Sequence, residues 1–228
     1  MTYQAAYERV RRLSGIGSGD VATATAKSVL LDAASVVFFE IANKVPNLLF
    51  VSEEKTWVAE TDYLDEVDPA AAPFRILALQ WRTSESNEWQ PASPLSPTEL
   101  DGRTTRFRSD KQTYFYSTNV FRTYLMPKPT AALYMRMFVI YPLIPASLDS
   151  DALLARTEPD GMTRRTNSAL GQFEFLAVVR AAHEIRLQEG RLTEELERLM
   201  NRYEDILFKY PSVQLQTTGH IPNRNELS

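Results

Sequence analysis

The stretch YLMPKPTAALYMRMFVIYPLIP, Tyr124–Pro145, decides how the rest of the chain is read. It holds four prolines and only two charges, Lys128 and Arg136. A membrane-spanning helix needs about 20 mostly apolar residues in a row. Between Arg136 and Asp149 there are twelve uncharged residues, broken by Pro142 and Pro145, so the stretch reads as part of a soluble protein. MPKP is a link, and Ala132–Tyr141 is a strand. Leu133, Met135, Met137, Val139 and Tyr141 share one face by the period-2 rule; Tyr134, Phe138 and Ile140 share the other with Arg136. Both faces are largely apolar, so both are expected to be covered. Prolines 142 and 145 have no N–H to give and end the pairing.

Upstream of this strand lie LLFV, KTWVA, FRILALQW, KQTYFYS and VFRTYLM, short runs rich in aromatic and β-branched residues. Pro, Asn, Ser and Gly separate them, and Asn119 marks a turn between Tyr114–Ser117 and Val120–Met126. This is the pattern of antiparallel strands, from about Leu48 to Leu148.

Helical spacing brackets the strands. Thr2 can cap a first helix carrying Tyr3, Ala6, Tyr7, Val10 and Leu13, with Arg9, Arg11 and Arg12 at its C-terminal end. SGIGSGD, residues 14–20, reads as a hinge. Asp20 can cap a second helix to Lys44, with Ala26, Val29, Leu30, Ala33, Val36, Val37 and Ile41 on one broad face. LDSDALLARTEPDGM is a loop or lid that could hold a short helix. A third helix spans 167–188 and is apolar nearly all round in its first half. A fourth spans 192–210, with Leu192, Leu196, Leu199, Met200, Tyr203, Ile206, Leu207 and Tyr210 in one stripe. The short link at Gly190 makes these two an antiparallel hairpin. The expected class is α+β: a helical bundle of residues 1–47 and 149–210, a β-rich insertion 48–148, and an extended tail 211–228.

The chain has 228 residues, a formal net charge of -4 and no cysteine. An acidic balance offers no general field for wrapping nucleic acid. Without cysteine there are no disulfides, thiolate zinc sites or cysteine nucleophiles, which fits a reducing cytosol. MTYQAAYERVRRLSG lacks the apolar core of a signal peptide.

No catalytic residue, cofactor or metal site emerges. G-x-S-x-G, H-E-x-x-H, P-loop and Rossmann patterns are missing from the sequence. The only histidines are His183, read as a surface or rim residue, and His220 in the tail. Carboxylates cluster at Glu53-Glu54, at Glu60–Asp68 and at Asp149–Asp151. Two of them could face across a cleft as in a glycosidase, but acidic loops are usually solvated. Asp62, Asp65, Glu66 and Asp68 could hold a cation loosely, without EF-hand spacing. Arg103, Arg106, Arg108 and Lys111 form a basic run around Phe107. It reads either as a solvated loop or as a contact for phosphate or an acidic partner.

As a whole the chain resembles the head-to-tail adaptor proteins of short-tailed bacteriophages, the tail tubular or gatekeeper ring proteins. The likeness rests on four features in order: N-terminal helices ending before an aromatic strand; PLSPTELDGR, Pro94–Arg103; KQTYFYSTNVFRTYLMPKPTAALYMRMFVIYPLIPASL, Lys111–Leu148; and the helical hairpin ending in RYEDIL, Arg202–Leu207. The resemblance covers about Thr25 to Tyr210. It implies a non-enzymatic virion protein of the neck, made in the host cytoplasm. It also implies a homo-oligomeric, dodecameric ring between the portal protein and the tail nozzle protein, with double-stranded DNA passing through the lumen without sequence recognition. No membrane is involved. On this reading the tail docks on the portal through Val213, Leu215, His220, Ile221 and Arg224, with Val213 and Leu215 alternating as an added strand. Arg103, Arg106, Arg108 and Lys111 contact the lumen or the nozzle. The alternatives are another phage neck or tail completion protein, or a hydrolase built on the acidic clusters.

Overall fold

A computed structural model describes residues 1–16, 23–59, 61, 64–65, 75–95, 113–118, 122–126, 128–143, 145–157, 164–165 and 170–209. The chain is α+β and divides into two compact units. One comprises Met1–Leu49, Leu143–Thr157 and Arg164–Ser212; the other comprises Phe50–Pro142, Glu158–Thr163 and Val213–Ser228. No helix among the described residues is long and apolar enough to cross a membrane.

The first unit holds the helices. In α1 (Tyr3–Ser14), Thr2 Oγ1 accepts from Ala5 N at 3.3 Å, and Gly15 closes the other end in the left-handed conformation with φ 71°. The second helix, α2 (Thr23–Lys44), is followed by a single 3-10 turn at Pro46–Leu48. Two more, α3 (Gly171–Gln188) and α4 (Glu194–Lys209), form a hairpin whose Gly190 has φ 67°. α3 lies against α1, α2 and α4. That explains why its sequence is apolar nearly all round: Phe173, Leu176, Ala177, Val178, Val179, Ala181, Ala182 and Ile185 are all buried.

Two helical expectations are corrected. Val36 lies outside the buried face of α2 and is 50% exposed; the core face is Ala26, Leu30, Ala34, Val37, Phe38, Ile41 and Ala42. Leu192 is not on α4. It sits in the hairpin turn, 83% exposed, and only Leu196 of the expected stripe is fully buried among the described side chains.

The second unit contains β1 (Val51–Trp57), β2 (Leu64–Asp65), β3 (Arg75–Arg82), β4 (Gln90–Pro94), β5 (Tyr114–Thr118), β6 (Arg122–Met126) and β7 (Leu133–Ile140). They form one seven-stranded sheet in the order β1-β7-β3-β4-β5-β6-β2. β7 is second from one edge, with β1 and β3 antiparallel on either side. Trp57, Leu79, Ala92, Phe115, Leu125, Leu133, Met135, Met137, Val139 and Tyr141 build one core. Each large side chain fully buried there is worth about 1.5–3 kcal/mol before the entropy of ordering it.

The sheet departs from expectation in four places. LLFV is not a strand, because Pro46 starts a 3-10 turn and β1 begins at Val51. β4 is not among the expected strands, since its sequence QPASP carries two prolines. It forms because Ser93 N and Leu95 N donate to β5 and the residue before it, at 2.9 and 2.8 Å, while Pro94 falls between these donors. The β4–β5 pair is parallel rather than antiparallel, and the residues from 96 to 112 supply the long connection that parallel pairing demands. Finally, the second face of β7 is not covered along its length: Tyr134 is 37% exposed and Arg136 only half-buried. Asn119 lies outside the described residues.

A further two-stranded ribbon, β8 (Arg156–Thr157) with β9 (Arg164–Arg165), belongs to the first unit; β8 falls in the segment whose sequence reads as a loop or lid, and β9 follows it.

Candidate functional site

The partly uncovered face of β7 carries an organised group of half-buried side chains beside the exposed Tyr134. Strand alternation puts Tyr134 and Arg136 on the face opposite Met135 and Met137. Register sets Glu54 and Gln80 beside Arg136, and Thr56 and Arg82 beside Tyr134. Trp89, at the end of the loop joining β3 to β4, stacks on both arginines: the guanidinium carbons of Arg82 and Arg136 each lie 4.3 Å from its ring centroid. Arg82 also reaches the Tyr134 ring at 5.6 Å.

Both cations are further fixed. Glu54 Oε1 accepts from Arg136 Nη2 at 2.6 Å and from Nε at 3.0 Å. Arg82 Nη1 donates to Glu85 O at 2.7 Å, while its Nε is buried without an acceptor. The loop itself is tied by Asn87 Nδ2 donating to Thr83 Oγ1 at 2.6 Å and by a contact of 3.0 Å between Ser84 Oγ and Ser86 Oγ. Each cation–π contact at an exposed site contributes about 0.5–1 kcal/mol. Guanidinium and indole groups do not exchange protons near neutral pH, and a planar guanidinium fork matches carboxylate or phosphate. The group presents a planar cation on each side of an aromatic ring. Sequence reading misses it because Arg136 is far along the chain from Arg82 and Trp89; the alternation along β3 and β7 is the available signal.

The acidic clusters are separated by their strands and turns. Glu53 and Glu54 are neighbours on β1, not loop residues, so they project to opposite faces. Glu53 is buried, accepts from the Tyr141 hydroxyl, and has Lys55 Nζ at 3.5 Å. Asp149 Oδ1 pairs with Lys27 Nζ at 2.7 Å, and this pairing is the main reason the Lys27 ammonium is held above its ordinary value. Asp151 Oδ2 accepts from Ser147 N at 2.8 Å and Leu148 N at 2.9 Å, closing a turn. Asp65 is on β2; Asp62, Glu66 and Asp68 lie outside the described residues.

His183 is half-buried on α3, with Nε2 3.4 Å from Glu197 Oε1. Among the described residues no group of three or more His, Asp or Glu side chains is placed to share a metal ion. The basic run Arg103, Arg106, Arg108 and Lys111 lies outside the described residues, as do Val213, Leu215, His220, Ile221 and Arg224.

No family model and no curated protein matches the chain.

Proposed function

We propose that the chain is a structural subunit of a virion. It forms a ring that joins the portal of a DNA-filled head to the tail and gives DNA a channel. In this reading the N- and C-terminal helices make a bundle that carries the strand-rich insertion as a contact platform. The Arg82–Trp89–Arg136 stack with Tyr134 is the observation that carries it. Trp, Tyr and Arg are the residues that dominate binding energy at protein interfaces, and rigid presentation lowers the cost of ordering them on binding. A ring also needs two different patches per subunit, because each copy meets the next head to tail. The helical unit supplies its own exposed apolar side chains, Val36, Leu187 and Leu192.

Electron microscopy of the purified protein, alone and with purified portal, tests the reading. Closed rings, alone or seated on the portal, support it. Trp89→Ser should then reduce ring formation at an unchanged melting temperature or one lowered by a few degrees. A chain that stays monomeric at all concentrations and ignores the portal overturns the reading.

A further inference from the structure

We infer that the tip of the α3–α4 hairpin in one copy docks on the Arg82–Trp89–Tyr134 face of a second copy. The inference rests on the ring reading and names the contact between neighbours. At the tip, Leu192 is 83% exposed, and Leu187 in the last turn of α3 is 57% exposed. Thr193 O accepts from Glu197 N at 3.0 Å, so α4 starts there. The residue before such a start commonly packs on the fourth helical residue. Here that residue is Glu197, which is turned to Thr193 and His183. Leu192 therefore has no apolar mate at the helix start. Glu194 and Glu195 follow in the first turn of α4, both exposed and neither in an ion pair among the described residues.

The sheet face offers what the tip lacks. Arg136 is paired with Glu54. Arg82 has a backbone oxygen, Glu85 O, as its acceptor, and no carboxylate pairs with it among the described residues. Its Nε–H has no acceptor at all. The carboxylates of its own loop, Glu85 and Glu88, are exposed and leave it unpaired. A carboxylate of the incoming tip completes the guanidinium through a charge-assisted bond. Leu192 against the rings of Trp89 and Tyr134 takes apolar surface out of water on both partners. One chain thus carries an apolar point with unpaired carboxylates and, elsewhere, aromatic rings with an unpaired cation. That complementarity suits a head-to-tail contact, in which each copy offers one patch and receives the other. Tip against tip would set acidic turns together, which opposes a two-fold contact there.

Sedimentation velocity of the full chain, with and without purified portal and at low and high salt, tests this. The tip variant is Leu192→Ser/Glu195→Lys, and the face variant is Trp89→Ser. Each should weaken self-association by about tenfold or more, as loss of a central interface side chain does. The tip variant changes only exposed positions and should melt as the wild type does. Mixed one to one, the two variants should form a pair that grows no further. The intact tip of the face variant meets the intact face of the tip variant, and both outer ends are altered. High salt should loosen the wild-type contact, and Glu195→Lys alone should flatten that dependence.

Undiminished association of the tip variant overturns the inference. So do two defective variants whose mixture gives no pair, since tip and face would then meet other surfaces. Loss of portal binding by the tip variant with self-association intact also overturns it, and assigns the tip to the portal. Ring formation is read separately by microscopy. Rings built by the tip variant sink this inference alone. Open chains of the wild type that both variants abolish, and that mixing caps as pairs, sink the ring reading alone.

Discussion

Arg180 Nη2 donates to Glu204 Oε1 at 2.6 Å, tying α3 to α4 through a charge-assisted bond. The same nitrogen reaches Glu40 Oε1 on α2 at 3.0 Å. One guanidinium therefore serves two carboxylates on two helices. Burial opposes its charge, and bonds to Glu204 and Glu40 more than restore it, so the group stays protonated.

Removing this centre leaves two carboxylates facing each other. Arg180→Ala should cost about 1–3 kcal/mol in urea unfolding, the range for hydrogen bonds to charged groups in a partly exposed setting. Glu40→Gln and Glu204→Gln should each cost less. Combined with Arg180→Ala they should be clearly non-additive, since both lean on the same side chain. Additive losses would show that the three groups act separately.

Much of the helical half is legible in the sequence because its signals are local. Thr2, three residues before the bonded Ala5 N–H, announces α1; Gly15 and Gly190 mark helix ends that need a positive φ. Exposure on a helix is less legible. Val36 shares an apolar run with Val37 and Phe38, and only the neighbours α1 and α3 decide which of these is covered. In the sheet, the alternation of β7 correctly assigns the face carrying Met135 and Met137. It cannot show that Tyr134 is left partly exposed, because coverage depends on distant chain. β4 is hidden by its prolines. The β8–β9 ribbon has a readable signal: Pro159, Asp160 and Gly161 are turn residues standing between ART and TRR. The Trp89 stack is the least legible, since it joins the β3–β4 hairpin to the distant strand β7.

Tyr141 and Glu53 make a second testable pair. Glu53 is buried, and the Tyr141 hydroxyl donates to it. Tyr141→Phe keeps the ring in the core and withdraws the donor, so the loss should be about 1–3 kcal/mol in chemical denaturation. In a Glu53→Leu background the same change should cost much less, because no carboxylate remains to be satisfied. An equal loss in both backgrounds would place the role of Tyr141 in packing alone.

Glu197 predicts a pH effect. The Thr193 hydroxyl, at 2.6 Å, and then the His183 imidazole hold its carboxyl below the ordinary 4.5. A carboxyl lowered on folding contributes stability in full above its unfolded value and loses it as the pH falls through the folded one. The contribution should therefore be present from pH 4.5 upward and fade below it. Thr193→Val removes the larger cause. An NMR titration of the Glu197 carboxyl should then move its midpoint upward, toward 4.5. A midpoint that does not move would mean Thr193 is not the group holding it down.

The two positive-φ glycines separate backbone strain from a side-chain contact. Gly15 has φ 71° and Gly190 has φ 67°, so alanine at either position should pay the left-handed penalty, about 1–2 kcal/mol. At Gly190 a new Cβ meets nothing within 4 Å, and strain is the whole effect. At Gly15 it meets Arg191 Nη1 at 3.4 Å. That nitrogen donates to Gly15 O at 3.1 Å and Ser14 O at 3.4 Å, satisfying carbonyls that the end of α1 leaves open. The 3.4 Å approach is ordinary van der Waals contact with the far end of a flexible side chain, so Gly15→Ala and Gly190→Ala should lower the melting temperature by similar amounts, and the Gly15→Ala loss should be the same in an Arg191→Ala background. A larger loss at Gly15 that disappears with Arg191→Ala would show instead that the new methyl displaces the arginine from the two carbonyls.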